Sequence, residues 1–138
     1  MYARRSPEAS LDFDGRAGIL ADIEEKEEEN AMAFYELRQY HVRPGMMNEW
    51  VQIMEEEIIP FQVSKGMVIC GSFRGEADES VYIWLRRFES EAQREALYKA
   101  VYDTDYWKTK IAPRVPECLD REKMVITRIV PTPKSTMQ

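Results

Sequence analysis

The segment Val81–Phe88 constrains most strongly what this chain can fold into. It is rich in β-branched and aromatic residues, contains no glycine or proline, and is followed by a helix-start signal at Ser90, so we interpret it as a strand. The two-residue period of a strand gives one face with Tyr82, Trp84, Arg86 and Phe88, and another with Val81, Ile83, Leu85 and Arg87. Neither face is predominantly polar, so we expect both faces to be covered, the second one by another subunit.

Upstream of this strand, the pattern predicts a strand, a helix and a second strand. Phe34–Val42 has the composition of a strand, and residues 46–65 are predicted to be a helix because apolar side chains recur there every three or four positions. Gly66 should cap this helix, and Pro60 should kink its last turn. Residues 67–74 are the next predicted strand.

Downstream, the pattern predicts a longer helix and then a shorter one. Ser90 and Gln93 have the spacing of a capping box, which opens a helix that ends near Tyr102. A short helix should follow, and Pro113 and Pro116 should end it.

A last strand at residues 124–130 completes the order β-α-β-β-α-β. This order is typical of an α+β, ferredoxin-like fold, in which a four-stranded antiparallel sheet carries both helices on one face. The other face is left bare and apolar. We therefore predict a homodimer in which two such sheets pack face to face as a dimeric α+β barrel.

The charge of the chain is concentrated near its start. Residues 1–31 hold nine acidic and four basic side chains, a net charge of −5, whereas residues 32–138 hold 16 acidic and 15 basic, a net charge of −1. We predict an acidic, disordered tail at 1–31, a folded domain at 32–131 and a loose C-terminal tail at 132–138. A nearly neutral domain argues against a nucleic-acid partner.

Cysteine usage and hydropathy predict the compartment. Cys70 and Cys118 lack the spacing of a redox or metal motif, which is typical of reduced thiols in the cytoplasm. No apolar run approaches the roughly 20 residues that span a bilayer, and the first residues lack the apolar core of a secretory signal. We therefore expect a cytoplasmic protein with no membrane partner.

Several short motifs occur in an order that resembles the NIPSNAP family. The resemblance covers about residues 34–131 and implies the dimeric α+β barrel, in agreement with the fold predicted above. The activity of this family is poorly defined, so the resemblance implies a fold more firmly than a reaction. The family often has an asparagine just before the third strand, where this chain has Glu79 and Ser80. The matching motifs are Tyr35–Tyr40, Pro44–Gly45, Ile59–Pro60, Gly71–Phe73, Val81–Trp84, Glu89–Arg94 and Trp107.

Two arginines within the predicted strands are candidate ligand-binding residues. Arg38 shares a strand face with Tyr40, and Arg86 shares one with Trp84. A guanidinium beside aromatic rings suits an anionic or planar ligand, so all four residues are candidates. The alternative is structural: Arg38 could pair with Glu36, and Arg86 with a carboxylate across the dimer.

His41 completes the candidate set because it is the only histidine. It would be the natural general base or haem ligand, although a lone histidine at a strand end is more often structural. No metal site is expected, and Glu55–Glu57 are interpreted as a solvated helix face. We assign no catalytic residue and no cofactor, with haem as the one exception to consider.

Two functional classes remain open. A small-molecule-binding or sensing protein without turnover is favoured because no acid–base or metal constellation is present in the sequence. The alternative is a small oxidoreductase of the cofactor-independent monooxygenase or haem-degrading type, since dimeric α+β barrels of similar architecture include such enzymes. That alternative is an analogy of fold, and fold does not determine function.

Overall fold

The computed structural model describes residues 18–23 and 32–138. Residues 18–23 form a short helix in a unit separate from the main domain, which begins at Ala33. The rest of the predicted acidic tail lies outside the described residues. In the described ranges, no helix is long and apolar enough to cross a bilayer.

The main domain has four strands and three helices in the order β1, α1, β2, β3, α2, α3, β4. The strands are β1 Phe34–Val42, β2 Val68–Arg74, β3 Val81–Phe88 and β4 Leu119–Ile129. The helices are α1 (Met47–Ile53, Met54–Ile58 and Ile59–Ser64), α2 (Glu91–Tyr102) and α3 (Trp107–Ile111, Ala112–Arg114 and Val115–Cys118). All pairings are antiparallel in the order β2-β3-β1-β4, which confirms the predicted ferredoxin-like fold.

The alternation predicted for β3 is present in the structure. Tyr82, Trp84, Arg86 and Phe88 are buried, and the other four residues of the strand are half-buried. Tyr82 and Trp84 pack in one cluster with Trp50 of α1, and Phe88 packs in another with Val101 of α2. Both helices therefore cover the face that carries the aromatic residues.

The opposite face of the sheet, called the outer face below, is apolar and partly exposed. It includes Ile83 and Leu85 of β3 together with their register partners on the neighbouring strands. Phe73 is 59% exposed, and Val125 of β4 is 54% exposed. Such a set of apolar side chains is unusual on a sheet that faces only water.

The C-terminal segment 132–138, predicted to be a loose tail, returns to this outer face. Tyr35 Oη donates a hydrogen bond to Gln138 O at 3.0 Å, and Arg87 Nε donates one to the same oxygen at 2.6 Å. Tyr35 is 5% exposed as a result of this packing. The segment therefore covers one part of the outer face and leaves the part around Phe73 open.

The fourth strand begins five residues earlier than predicted. The charged stretch that follows Leu119 lies before the predicted strand, but Leu119 and Asp120 pair with Val42 and His41. The register shift between these pairs and the Val125–Gln39 pair leaves the extra residues in β4. β4 is an edge strand of the sheet. Charged side chains are common on edge strands because one side of the strand remains in water.

The prolines act differently from the prediction. Pro113 and Pro116 do not end the helix: each lies in the first turn of a new segment of α3, where a missing N–H removes no helical hydrogen bond. Pro60 lies in the first turn of Ile59–Ser64, directly after the wider π-helical turn Met54–Ile58. The wide turn therefore takes the place of the predicted kink in the last turn.

Two predicted helix signals are confirmed. Gly66 has φ +106°, and its N–H donates to Val63 O at 3.0 Å, as a C-terminal cap does. Ser90 Oγ accepts a hydrogen bond from Gln93 N at 3.1 Å. The Gln93 side chain accepts from Glu89 N, one residue before the position that a capping box requires.

Candidate functional site

A cavity of about 280 Å³ lies between the helix-covered face of the sheet and the helices. Its lining includes all three tryptophans of the chain. It also includes two arginines and, among the described residues, no carboxylate. The lining residues are Arg38, Tyr40, Trp50, Met54, Ile58, Trp84, Tyr98, Tyr102, Trp107, Val115, Leu119, Arg121 and Met124.

Aromatic rings in edge-to-face contact form one wall of the cavity. The ring of Tyr40 lies 5.9 Å from that of Trp50 and 6.3 Å from that of Trp84, with interplanar angles of 65° and 64°. On another side, Tyr102 meets Trp107 at 4.7 Å and 80°. Such contacts fix the ring orientations, so the wall is a rigid surface for a ligand.

Both π-helical turns contribute to the lining. Met54 and Ile58 begin and end the turn in α1, and Trp107 begins the turn in α3. A π-helical turn inserts one extra residue into a helix and is found frequently at functional sites. The two π-helical turns therefore supply part of the helical lining, beside residues such as Trp50 and Tyr98 from regular helical segments.

Arg38 is the largely buried cation of the cavity, with a side chain 12% exposed. Its Nε donates to Tyr40 Oη at 2.7 Å, while its terminal nitrogens make longer contacts with Tyr98 Oη at 3.3 Å and Met124 Sδ at 3.8 Å. The carboxylate of Glu36 is 3.6 Å from Arg38 Nη1. Arg38 thus has one short hydrogen bond at Nε and weaker contacts at its terminal nitrogens.

Burial disfavours the charged forms of both Arg38 and Tyr40. Burial alone would lower the pKa of Arg38, but the electrostatic interaction and hydrogen bond with Tyr40 raise it above its usual range. Burial raises the pKa of Tyr40, against the opposing effect of Arg38. At neutral pH, the site therefore contains a guanidinium beside a neutral phenol.

Beneath the cavity, Arg86 is completely buried, and both of its terminal nitrogens are hydrogen-bonded, whereas its Nε has no acceptor among the described residues. Its Nη2 donates to Glu36 Oε1 at 2.7 Å and to Tyr98 Oη at 2.6 Å. Its Nη1 donates to Gln62 Oε1 at 2.9 Å and to Tyr102 Oη at 2.8 Å. The strand register places Glu36 directly opposite Arg86, so the carboxylate partner belongs to the same chain.

Glu36 is shared by several donors and has no capacity left for Arg38. Besides Arg86, Arg94 Nε donates to Oε2 at 2.7 Å, and Tyr98 Oη donates to both oxygens at 2.7 and 2.8 Å. Burial alone would raise the pKa of Glu36, but the hydrogen bonds from Arg94 and Tyr98 and the charge of Arg86 lower it to about 2. Glu36 is therefore ionised at neutral pH and supports the cavity floor.

Two buried indole N–H groups in the lining have no hydrogen-bond acceptor among the described residues. They are Nε1 of Trp50 and Nε1 of Trp84, and both side chains are 2% exposed. Burial raises the pKa of the Tyr40 phenol, and the nearby Trp84 indole partly opposes this rise. The indole N–H is nevertheless not placed to make a hydrogen bond with the phenol oxygen. A buried donor without an acceptor costs about 1–3 kcal/mol, which an acceptor atom of a ligand can offset.

The structure brings together three of the five candidates chosen from the sequence. Arg38, Tyr40 and Trp84 line the cavity. Arg86 lies below it, in contact with Glu36. His41 is half-buried and is paired with Val81 across β1 and β3. Its side chain therefore belongs to the outer face and does not line the cavity.

Sequence reasoning missed the contribution of the helices. Tyr98 and Tyr102 line the cavity from α2 and also hydrogen-bond Arg86, although neither is among the candidates taken from the sequence. Their spacing of four residues places both side chains on one helix face, and this pattern could have identified them from the sequence. Trp107 lines the cavity from α3 and is not among those candidates either.

The acidic stretch on α1 lies apart from the site. Glu55 and Glu56 are exposed, and Glu57 pairs with Arg114 at 2.7 Å. Within the described ranges, no three histidine, cysteine or acidic side chains come together in a way that could hold a metal ion.

The fold and sequence are similar to those of known proteins. A NIPSNAP family protein from Agrobacterium tumefaciens superposes with a TM-score of 0.68 at 23% identity over 77% of this chain and 99% of that one. Another from the same bacterium, of unknown function, gives 0.70 at 19% identity over 78% and 96%. A protein from Bacteroides thetaiotaomicron, assigned provisionally as an antibiotic biosynthesis monooxygenase, gives 0.53 at 16% identity over 75% and 91%.

No curated protein sequence matches this chain. The sequence profile of the NIPSNAP family matches residues 35–135, which is well over half of the 138 residues. The match includes all four strands and all three helices of the main domain, apart from the first residue of β1. The chain therefore belongs to the NIPSNAP family.

Proposed function

We propose that this protein is a homodimer that binds a small molecule, without turnover, in the cavity between sheet and helices. The observation that carries the proposal is the lining itself: aromatic walls, one buried guanidinium and two indole donors without acceptors. Its volume of about 280 Å³ is roughly twice the ~150 Å³ of a cavity that holds a benzene molecule. Small-molecule sites are typically concave and apolar, with a few precisely placed polar groups.

Three of the candidate residues are proposed to bind the ligand in this cavity. Arg38, Tyr40 and Trp84 would contact the ligand, and Arg86 would hold Tyr98 and Tyr102 in position from below. His41 is not included because it lies on the outer face.

A screen of metabolites by thermal shift tests the proposal. A compound that binds the folded state raises the melting temperature, and the same compound should change the intrinsic fluorescence because all three tryptophans line the cavity. Arg38→Met should reduce both effects at least severalfold. Arg74→Met is the matched control, since Arg74 is exposed on β2 and contacts Asn48. A ligand that stabilises both variants as strongly as the parent would place binding elsewhere.

The homodimer is proposed to form through the outer face. Support comes from the exposed apolar side chains there, above all Phe73, and from the similar fold of other NIPSNAP family proteins. The C-terminal segment covers the area near Tyr35, so the partner would pack against the sheet around Ile83 and Phe73.

Phe73→Glu is expected to convert the dimer into monomers because it places a charge within the apolar surface proposed as the interface. The measurement is molar mass by light scattering at matched concentrations. Val63→Glu is the control: Val63 is 52% exposed, but it lies on α1 and not on the sheet. A monomeric parent, or a dimer that persists in Phe73→Glu, would contradict this assembly.

The second candidate function is a small oxidoreductase of the cofactor-independent monooxygenase type. It is favoured by the similarity of fold to the Bacteroides protein and by a shielded cavity that contains three tryptophans. Oxygen consumption with a bound ligand would distinguish this function from binding alone. The haem-degrading version is less well supported because His41, the only histidine, is not in the cavity.

We also place the protein in the cytoplasm. Support comes from Cys70 and Cys118, which are both free thiols. Burial raises the pKa of each thiol above its usual value, so neither has the lowered pKa of a reactive cysteine.

A further inference from the structure

We infer that the ligand of this cavity is a small aromatic monocarboxylate, whose carboxylate pairs with Arg38 and whose rings lie against the tryptophans. The inference rests on the proposed function and specifies its ligand class.

The charge of the lining requires an anion. Arg38 and Arg121 both line the cavity, and no acidic side chain of the described residues does so. The nearest carboxylate, Glu36, already accepts hydrogen bonds from Arg86, Arg94 and Tyr98, and its contact with Arg38 is 3.6 Å long. Arg94 also reaches Glu91 at 3.3 Å, but Arg38 and Arg86 share the one carboxylate of Glu36, which leaves positive charge at the cavity.

The terminal nitrogens of Arg38 are available for a stronger partner. Nη1 meets Tyr98 Oη at 3.3 Å and Nη2 meets Met124 Sδ at 3.8 Å, both at or beyond the long end of hydrogen bonds. A carboxylate binds a guanidinium with two short, charge-assisted hydrogen bonds. Exchange of these weak contacts for a bidentate pair is therefore favourable, and Tyr40 would keep the Nε side of Arg38 in place.

The apolar part of the cavity suits a flat ring system. Rings of Tyr40, Trp50 and Trp84 stand edge to face, which presents aromatic surfaces of fixed orientation. The volume, about twice that needed for one benzene ring, allows two fused rings with a carboxylate. The free indole donors also favour a ligand that carries acceptor atoms.

A cationic or neutral ligand fits less well. An ammonium group would enter a cavity that already holds the positive charge of Arg38 and Arg121. A single negative charge matches the lining best because Arg38 is largely buried, whereas Arg121 is exposed to solvent. The charge, more than the exact ring, therefore defines the class.

A matched pair of probes tests the inference on the full chain. Naphthoate and naphthamide have the same rings and nearly the same shape, but only naphthoate is charged. Titration calorimetry at neutral pH should give naphthoate about ten- to hundredfold tighter binding, the usual effect of a charge-assisted hydrogen bond. Arg38→Met should remove this preference, and Arg74→Met should retain it.

Each outcome decides a different point. Equal binding of both probes to the parent would overturn the inference and leave the proposed function intact, because the cavity would then bind rings without regard to charge. Binding of neither probe would overturn the inference, while the metabolite screen would decide the proposed function separately. A preference for naphthoate that survives in Arg38→Met would place the carboxylate at another residue and would also overturn it. The comparison on the parent protein requires no variant to fold.

Discussion

Glu36→Gln is expected to lower the free energy of unfolding by about 3–5 kcal/mol, the usual cost of removing one partner of a buried ion pair. Glu36 is 2% exposed and Arg86 is completely buried. A glutamine keeps the shape but replaces one acceptor oxygen with an amide that donates. Whichever oxygen it replaces, the amide would face Tyr98 and one arginine, Arg86 or Arg94, which all donate, and the buried Arg86 guanidinium would lose its counter-charge.

Chemical denaturation at neutral pH measures this effect. Glu89→Gln is the matched control because Glu89 pairs with Arg87 at 2.6 Å, but its side chain is 65% exposed. An exposed pair contributes about 0–1 kcal/mol, so the control should change little. Equal losses in the two variants would mean that the Glu36 cluster is no more important than a surface ion pair.

The fold was largely predictable because its signals are local. The alternation in Val81–Phe88, the left-handed Gly66 and the N-terminal cap at Ser90 each depend on a few neighbouring residues. Antiparallel pairing and crossover rules then leave few ways to assemble the elements. The early start of β4 was not predictable in this way because pairing with Val42 and His41 compensates for a charged sequence.

The site was only partly predictable because its partners are distant in the sequence. Arg38 and Arg86 looked equivalent, since each lies beside an aromatic residue on a strand. Their roles differ because the register sets Glu36 opposite Arg86, and because Tyr98 and Tyr102 reach Arg86 from α2. No local pattern contains this information.

The π-helical turns also could not be predicted from the local sequence. The apolar positions of α1 repeat as in a regular helix, and nothing in the sequence near Met54–Ile58 indicates an extra residue in the turn. The wide turn is accommodated by packing against the sheet and by Pro60, which lacks the donor that a regular helix would use there. The shape of the cavity therefore depends on tertiary packing.

Acid should remove the contribution of Glu36, which gives the second large effect. Its pKa is about 2 in the folded protein, against a usual value of 4.5. A lowered pKa means that the folded state prefers the ionised form, so the stabilisation is complete above the usual pKa and is lost as the pH falls toward the folded value. Between about pH 6 and about pH 3, this single group should cost the protein about 2 kcal/mol.

The difference between parent and Glu36→Gln isolates that group, since glutamine does not titrate. Denaturation curves at several pH values should show the difference in unfolding free energy shrinking by about 2 kcal/mol between about pH 6 and about pH 3. Glu89→Gln, measured in parallel, gives the change due to an exposed carboxylate. If the difference stayed constant with pH, the pKa of Glu36 would be the same in the folded and unfolded states. The hydrogen bonds from Arg86, Arg94 and Tyr98 would then not stabilise the ionised carboxylate.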